Sequence, residues 1–416
     1  MTARLTAEER AVAAGEDGSA MAMRIVAEAA RLLGASRLIP IASAHIDGAV
    51  YHGDAGVLFA ETLAGRGAKV AVPATLNVGG LDLTGCSMQR LAGHDRDMAR
   101  RMMQAYLALG CQATWTCAPY QAGHRPERGA DVAWGESNAV VFCNSVLGAR
   151  TNRYGDLLDI ACAITGKAPD CGLHRPENRV ARFVFDVAGL AADFRSSEVA
   201  WPVLGNLYGR LAGDRVGVID GLETDDEDRL KAFGAAAASS GAVGLFHIAG
   251  VTPEAPTLEA AGGGARPDET IVVTEAMVRD AQQRLSTAET ADRIDAVAIG
   301  SPHLSAAEFE RFERMLGGRR VAVPVYACTG RHVLSTLEDS GARKRLETLG
   351  VTVVADTCIV VTPMLPEMAG GVLMTNSGKF AHYAPGNTGY GVLYGALEDC
   401  VESAVAGRPM LGEARS

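Results

Sequence analysis

The last third of the chain alternates short apolar runs with helical segments. The runs 296–299, 321–325 and 351–354 are typical of buried strands, and the segments 306–316 and 332–349 between them are typical of helices. Because crossovers between parallel strands share one hand, the loops that follow these strands meet at one edge of a sheet. The pattern therefore predicts an α/β fold with a parallel β-α-β-α-β unit, and open sheets of this kind bind ligands at that edge.

The three loops at this edge carry unusual residue types. They read SPHLS (301–305), ACTGR (327–331) and DTC (356–358). Two of them contain a cysteine and the third contains a histidine, which favours a functional edge.

The rest of the chain shows a similar alternation. Its 416 residues exceed the usual size of one core, so we expect two domains or one domain with a large insertion. Thr6 and Glu9 are placed to cap a helix. The segment 179–292 contains the strand candidates FVFDVAG, RVGVIDG and AVGLFHIAG and an acidic patch, 224–228, that opens a helix; it predicts a second α/β layer. In the first part of the chain we predict strands at 38–42, 70–72 and 140–142 and helices at 6–33, 57–64, 96–109 and 154–164.

Charge and hydropathy exclude two classes of partner. The formal net charge is −10 and no block is rich in Lys or Arg, which argues against nucleic acid because phosphate neutralisation requires a basic surface. No apolar run approaches the roughly 20 residues that span a bilayer, so no membrane partner is expected. The segment 1–18 lacks the apolar core of a signal peptide, which predicts a cytoplasmic protein.

The nine cysteines predict free thiols, because the cytoplasm keeps thiols reduced. There is no CxxC pair, so any metal site must be assembled from distant loops. A zinc-dependent hydrolase with Cys and His ligands stays open as an alternative.

One segment, 111–179, is dense in polar residues. It contains TCAPY (116–120), AWGESNA (133–139), CNSVLGARTNR (143–153) and GLHRPENR (172–179). Such residues are costly to bury without partners, so they either line a polar pocket or form surface loops. The Gly-rich AGGGAR follows no predicted strand and is interpreted as a flexible loop.

Taken in order, these motifs closely resemble the large, catalytic subunit of the aconitase X family. The resemblance begins with IASAHIDGAVYHGDAG and NVGGLDL and ends with TNSGKFAHYAPG, so it covers nearly the whole chain. It implies aconitase-like multilayer α/β domains with parallel β-α-β units. We expect 1–178 and 293–416 to form the catalytic core, 179–292 a second layer or subdomain, and a small swivel domain to be a separate subunit.

The resemblance also implies an iron–sulfur cluster that is bound by three cysteines and acts as a Lewis acid. Of two branches, the one that acts on mevalonate 5-phosphate carries a cysteine before Pro-His, where this chain has Ser301. A 2Fe-2S cluster is therefore favoured, with 3Fe-4S or 4Fe-4S possible. The expected ligands are Cys117, Cys143 and Cys358, with Cys328 as the alternate.

The expected reaction is dehydration of a small hydroxy acid. The resemblance favours cis-3-hydroxy-L-proline as the substrate, which would give Δ1-pyrroline-2-carboxylate. The alternatives are a mevalonate 5-phosphate dehydratase and a noncatalytic or regulatory iron–sulfur protein. Ser377 is a candidate base if Lys379 stabilises its alkoxide. His303 and His45 are candidate acid–base residues, since imidazole titrates near neutrality, although a loop histidine is more often a plain hydrogen-bonding residue.

Arg150 is the first candidate for a bidentate carboxylate clamp, with Lys379 second, and a structural salt bridge is its alternative role. The remaining candidates are polar residues expected to orient the substrate or water: Ser43, Asp47, Asn77, Glu136, Ser145, Thr151 and Asn152.

Overall fold

A computed structural model describes residues 4–86, 88–288, 292–368 and 370–412. The chain divides into two compact units. The first unit comprises Met1–Leu81, Leu91–Val180 and Thr252–Glu254, and the second comprises Asp82–Arg90, Ala181–Val251 and Ala255–Ser416.

The first unit combines small sheets with surrounding helices. Strands β2, β3 and β4 form a parallel sheet in the order β3-β2-β4, and β1 pairs with β5 in antiparallel fashion. Helix α2 packs on α6, and α3 packs on α4. The elements are α1 (Ala7–Ala13), α2 (Gly18–Leu32), β1 (Leu38–Pro40), β2 (Ala44–Ile46), α3 (Asp54–Gly65), β3 (Ala74–Leu76), α4 (Gly93–Ala108), β4 (Ala133–Trp134), α5 (Ser137–Phe142), a π-helical turn (Cys143–Leu147), α6 (Leu158–Thr165), β5 (Lys167–Pro169) and two 3₁₀ turns (Gly172–His174 and Pro176–Asn178).

The N-terminal helix prediction is confirmed in type and corrected in extent. The side chain of Thr6 accepts a hydrogen bond from the backbone of Glu9, and the Glu9 side chain accepts one from the backbone of Thr6, which completes the expected capping box. The predicted single helix is two helices, because Asp17 caps a new one by accepting a hydrogen bond from the Ala20 N–H at 2.8 Å.

Two strand predictions in this unit were wrong. Residues 70–72 form no strand, and the ladder begins two residues later, at Ala74. Residues 140–142 lie in helix α5, whose N-terminus is capped by the Glu136 carboxylate. A short apolar run fits a buried helix as well as a buried strand, and here the cap selects the helix.

The second unit contains two parallel sheets, in the orders β8-β7-β6-β9 and β12-β11-β10-β13-β14. Three strands of the first sheet and the helix opened by the acidic patch were predicted. Strand β9 was missed. The elements are β6 (Phe183–Asp186), α7 (Ala192–Ser196), α8 (Ala200–Ala212), β7 (Gly217–Asp220), α9 (Glu227–Ser240), β8 (His247–Ile248), α10 (Leu258–Ala261), β9 (Glu269–Val272), α11 (Glu275–Arg284), β10 (Ala296–Leu304), α12 (Ala306–Leu316), β11 (Val325–Thr329), α13 (Arg331–Asp339), α14 (Ala342–Leu349), β12 (Val351–Ala355), β13 (Val372–Thr375), α15 (Gly378–Thr388), β14 (Gly391–Tyr394) and α16 (Leu397–Ala406).

The predicted β-α-β-α-β unit is confirmed, with three corrections. Strand β11 begins at Val325, after Pro324, which has no N–H for the ladder. The predicted helix 332–349 is two helices, because Gly341 adopts a left-handed conformation between them. Most of SPHLS belongs to strand β10, whose pairing with β11 changes register between Ile299 and Leu304.

By contacts, the middle segment of the chain packs with the C-terminal segment. Helix α9 contacts α15 and strand β10, and these elements all belong to the second unit. The grouping of 1–178 with 293–416 as one catalytic core stays a prediction. No helix in the described part of the chain is long and apolar enough to cross a membrane.

Candidate functional site

The parallel sheet of the first unit brings three ring-bearing side chains together. His45 on the central strand β2 is in register with Thr75 on β3 and with Trp134 on β4. The Thr75 hydroxyl lies 2.8 Å from His45 Nδ1 and 2.7 Å from His124 Nδ1. His124 Nε2 in turn lies 2.8 Å from the Ser43 hydroxyl. The predicted residues Ser43 and His45 are therefore joined by two residues that the sequence reasoning missed.

Both imidazoles in this network are neutral at ordinary pH. Burial lowers the pKa of His45 well below its usual value, and it lowers the pKa of His124 to about 4. The ring centroid of Trp134 lies 5.6 Å from that of His45 and 4.9 Å from that of His124. The indole thus forms an apolar wall against both rings.

Asp47 and Asn77, both predicted, lie together beside a buried carboxyl group that was not predicted. The Asn77 amide donates a hydrogen bond to the Asp47 carboxylate. The Asp47 backbone N–H donates to Asp159 Oδ2 at 2.6 Å. Burial raises the pKa of Asp159 to about 8, with backbone hydrogen bonds opposing it. Asp159 is thus a largely protonated carboxyl group near neutral pH.

Glu136 has a structural task as the cap of α5. Its Oε2 accepts a hydrogen bond from the Ala139 N–H at 2.7 Å. The first turn of α5 positions Asn138, whose amide donates to the Cys117 carbonyl at 3.0 Å and lies 3.1 Å from the Tyr120 hydroxyl. This helix therefore fixes the backbone at one predicted cluster ligand.

Cys143, a second predicted ligand, opens the π-helical turn and is completely buried. Burial raises the pKa of its thiol, and the positive charge of Arg179 opposes this. Arg179 donates to the Asn144 backbone and side-chain oxygens at 3.1 and 3.0 Å and to the Ala149 carbonyl at 3.2 Å. Its Nε donates to Glu254 at 2.9 Å. Arg179 was missed, although it ends the quoted motif GLHRPENR.

The GARTN loop (148–152) is held by two hydrogen bonds between the side-chain amide of Asn144 and the backbone of Thr151. The Thr151 N–H donates to Asn144 Oδ1 at 3.0 Å, and Asn144 Nδ2 donates to the Thr151 carbonyl at 2.9 Å. Asn152 is occupied by backbone contacts, because its Oδ1 accepts from the Leu173 N–H at 2.8 Å. Arg150 differs from these residues. Within the described residues its buried Nε has no hydrogen-bond partner.

Ser145, predicted to orient the substrate, is buried in the same π-helical turn as Cys143.

The second unit positions His303 near the DTC segment. His303 Nε2 lies 3.2 Å from the Thr357 carbonyl, and burial lowers the pKa of its imidazole to about 3. The His303 carbonyl accepts a hydrogen bond from Lys231 Nζ at 3.2 Å. Lys231 is buried and also binds Asp228 at 2.8 Å and Glu308, so an unpredicted ion cluster anchors this strand end.

Cys358 follows a constrained residue. Asp356 is buried at a φ of 64°, and both its carboxylate oxygens accept hydrogen bonds from Arg331, at 2.8 and 2.7 Å. A non-glycine residue in this region carries backbone strain that its surroundings must offset. Cys328, the alternate ligand, lies on the neighbouring strand β11 and pairs with Val354.

Ser377 caps helix α15, where its Oγ accepts a hydrogen bond from the Phe380 N–H at 2.9 Å. The same hydroxyl donates to the Ser301 carbonyl. Lys379 lies in the first turn of this helix. The structure therefore joins Ser377 to the SPH segment.

The donor chemistry of the cysteines suits an iron–sulfur cluster. The nine cysteines are thiols and not disulfides, and the four candidate ligands are buried. The described residues contain no group of three or more His, Cys, Asp or Glu side chains arranged to bind a metal. The identity of the ligands stays a prediction.

Comparison with known proteins connects these features. Models of the first, second and third aconitase X domains match residues 2–177, 181–283 and 294–406. The cis-3-hydroxy-L-proline dehydratases of Pseudomonas aeruginosa and Hypocrea jecorina are 45% and 40% identical to this chain over 98% of its length, and the matches cover 71% and 69% of theirs.

Two further comparisons extend the match. The phosphomevalonate dehydratase large subunit of Methanothermobacter thermautotrophicus is 39% identical over 91% of this chain and 93% of its own length. The crystal structure of Thermococcus kodakaraensis aconitase X in its holo-form aligns with a TM-score of 0.86 and 32% identity, covering 96% of this chain and 100% of that one. The predicted aconitase-like α/β fold and the resemblance are both confirmed, and the chain belongs to the aconitase X family.

Proposed function

We propose that this protein is a hydro-lyase that dehydrates cis-3-hydroxy-L-proline. The observation that carries the proposal is the 45% identity to a dehydratase of that name over 98% of this chain. The substrate loses its C2 proton and its C3 hydroxide, which together leave as water. The resulting enamine tautomerises to Δ1-pyrroline-2-carboxylate, which makes the reaction effectively irreversible.

The reaction requires a cation for the substrate carboxylate, and Arg150 supports that role. Its guanidinium is planar and presents paired donors that match a carboxylate. The buried Nε of Arg150 has no partner among the described residues, so a donor is available without breaking an existing hydrogen bond. Asp47, Asn77, Ser145, Thr151 and Asn152 complete the polar surroundings in this proposal.

The acid–base roles follow from protonation states. Because the pKa of His303 is lowered to about 3 by burial, this residue acts as a neutral hydrogen-bonding group and not as an imidazolium acid. His45 is also neutral and has a buried Nε2 that can accept or donate one proton. Ser377 serves as the C2 base after its hydroxyl, which donates to the Ser301 carbonyl, gives up its proton to a water molecule, and Lys379 stabilises the resulting alkoxide.

We propose that Cys117, Cys143 and Cys358 bind an iron–sulfur cluster, with Cys328 as the alternate ligand and a 2Fe-2S cluster favoured. When bound, the cluster supplies a Lewis acid that weakens the C–O bond. Arg179, which fixes the backbone around Cys143, and Arg331, which fixes Asp356 before Cys358, hold two of these ligand segments.

We also propose a small swivel-domain subunit as the partner and a cytoplasmic location. Support comes from relatives such as the Methanothermobacter protein, which is named a large subunit and is matched over 93% of its length.

A direct assay tests the substrate. The chain is purified anaerobically with its small subunit and offered cis-3-hydroxy-L-proline and mevalonate 5-phosphate separately. We expect Δ1-pyrroline-2-carboxylate to form and mevalonate 5-phosphate to remain. Turnover of mevalonate 5-phosphate alone would overturn the substrate assignment, and no turnover of either would favour a regulatory iron–sulfur protein.

Phosphomevalonate dehydration is the second candidate function, favoured by the 39% identity to that large subunit. It would require a second cation for the phosphate. Ser301 argues against it, because the resemblance implies a cysteine at this position in that branch.

A further inference from the structure

We propose that Thr75 and His124 form a relay that carries a proton between His45 Nε2 and the Ser43 hydroxyl. The relay rests on the proposed dehydratase function, since it deepens the role given to His45. Thr75 and His124 act through His45 and are positioning residues in this scheme.

The hydrogen bonds of the relay form an unbroken chain within the first unit. It runs from Ser43 Oγ to His124 Nε2 at 2.8 Å, from His124 Nδ1 to Thr75 Oγ1 at 2.7 Å, and from Thr75 Oγ1 to His45 Nδ1 at 2.8 Å. The register of β2 and β3 places His45 opposite Thr75, so the backbone ladder itself fixes the central contact.

The far nitrogen of His45 marks one end of the chain. His45 Nε2 is buried and has no hydrogen-bond partner among the residues that the structure describes. Leaving a buried polar atom unpaired carries a free-energy cost, because the atom loses its hydrogen bonds to water and gains none in the protein. A purely structural histidine on this strand would gain nothing from that cost, whereas a proton-transferring one needs an unoccupied nitrogen.

Proton counting shows why the chain has two states. The Thr75 hydroxyl has a single proton, so it donates to one imidazole and accepts from the other. In the first state Thr75 donates to His124, His124 donates to Ser43, and His45 Nε2 carries a lone pair. In the second state every hydrogen bond is reversed and His45 Nε2 carries the proton.

The transfer between these states is balanced. His45 Nε2 gains a proton from the substrate or a water molecule, and the His45 Nδ1 proton moves to Thr75. The Thr75 proton moves to His124 Nδ1, the His124 Nε2 proton moves to Ser43, and the original Ser43 proton passes to a water molecule. Each N–H or O–H bond that forms replaces one that breaks, so both rings stay neutral and nothing is oxidised or reduced.

The burial of the chain suits this neutral transfer. His45 is fully buried, Thr75 is nearly so, and the Trp134 ring packs on both imidazoles. An isolated imidazolium would be expensive in such surroundings. A concerted shift avoids that charge.

Substitutions at Thr75 test the relay by activity. Thr75→Val keeps the shape and removes the hydroxyl, and we expect kcat to fall about a hundredfold with little change in KM, a typical loss for one acid–base contribution. Thr75→Ser restores the hydroxyl and should recover most of the loss. Thr114→Val is the matched control, because the Thr114 hydroxyl bonds the backbone of the same strand β3 and contacts neither imidazole. It should lower the melting temperature and leave kcat unchanged.

An NMR measurement tests the relay without turnover. Nitrogen-15 spectra of the full chain, assigned with His45→Gln and His124→Gln, report the tautomer of each ring. We expect two neutral rings in opposite tautomers, one protonated at Nδ1 and the other at Nε2. Rings in the same tautomer, a protonated ring at pH 7, or full activity of Thr75→Val would overturn the relay. If neither substrate is turned over, the proposed function fails and the tautomers alone decide the relay.

Discussion

Burial sets the charge state of several residues in the first unit. His45 and His124 are neutral because burial disfavours the imidazolium, and Asp159 is mostly protonated because burial disfavours the carboxylate. Residue identity alone would assign a negative charge to Asp159. The protonation of Asp159 therefore depends on its burial in the fold, which the sequence alone does not show.

Replacing Asp159 by Asn tests this carboxyl group. Both its oxygens accept hydrogen bonds from backbone N–H groups, at 2.6 Å from Asp47 and 2.6 Å from Ile160. An asparagine has one oxygen that can accept one of these hydrogen bonds, but its amide nitrogen cannot accept the other. We expect Asp159→Asn to lower the free energy of unfolding by about 1–3 kcal/mol at pH 5. Chemical denaturation measures it, with the exposed Asp156→Asn as control.

The pH dependence of that cost has a defined sign. The pKa of Asp159 is about 8 in the folded chain against an ordinary value of 3.8 for an aspartate, so its contribution to stability is present at low pH and is lost progressively as the pH rises between these values. The difference in stability between wild type and Asp159→Asn should therefore narrow from pH 5 to pH 8. A difference that widens over this range would contradict the burial argument.

At the scale of elements, one arginine organises the π-helical turn Cys143–Leu147. Arg179 Nη1 and Nη2 bind oxygens of Asn144, Ala149 and Leu173, and Nε binds Glu254. Lysine keeps the charge but not the planar set of donors. We expect Arg179→Lys to lower the free energy of unfolding by about 1–3 kcal/mol, because buried oxygens lose hydrogen-bond donors, and to speed amide hydrogen exchange in this turn. The exposed Arg182→Lys should change neither quantity, and equal exchange in both variants would contradict the assigned role.

The Arg331–Asp356 ion pair is expected to stabilise the segment after β12, as Arg179 stabilises the π-helical turn. Arg331→Gln leaves the buried Asp356 carboxylate without its two guanidinium hydrogen bonds, and we expect a loss of about 1–3 kcal/mol. Arg343→Gln on helix α14, which removes two ion pairs at the surface, with Glu338 and Glu347, is the control. Thermal unfolding of both variants measures the difference in stability. Equal losses would show that the buried ion pair contributes no more to stability than ion pairs at the surface.

Hydropathy could predict the helices and strands whose buried residues form a regular pattern along the sequence. Helix α12 has the predicted bounds, and β10 and β12 begin where the apolar runs begin. The sequence could not distinguish strand from helix at 140–142, where the Glu136 cap decides. It also could not reveal the His45–Thr75–His124 contacts, because Thr75 and His124 are 49 residues apart and are joined only by strand register and a loop.

For the whole molecule, the family match gives three consecutive domains, and the proposed partner supplies a fourth. We expect the isolated chain to show weak or no dehydratase activity and full activity to appear when the small subunit is added. Steady-state rates with increasing amounts of the small subunit measure this. Full activity of the large chain alone would contradict the proposed requirement for a small subunit.

The most direct test concerns the cluster ligands. Iron and sulfide content and dehydratase rate are measured anaerobically for Cys117→Ala, Cys143→Ala, Cys328→Ala and Cys358→Ala, with Cys162→Ala, buried in the core of the first unit, as control. We predict that the variants at Cys117, Cys143 and Cys358 each lose the cluster and the activity, while Cys162→Ala keeps both. Retention of iron and turnover in those three variants would contradict the proposed iron–sulfur site.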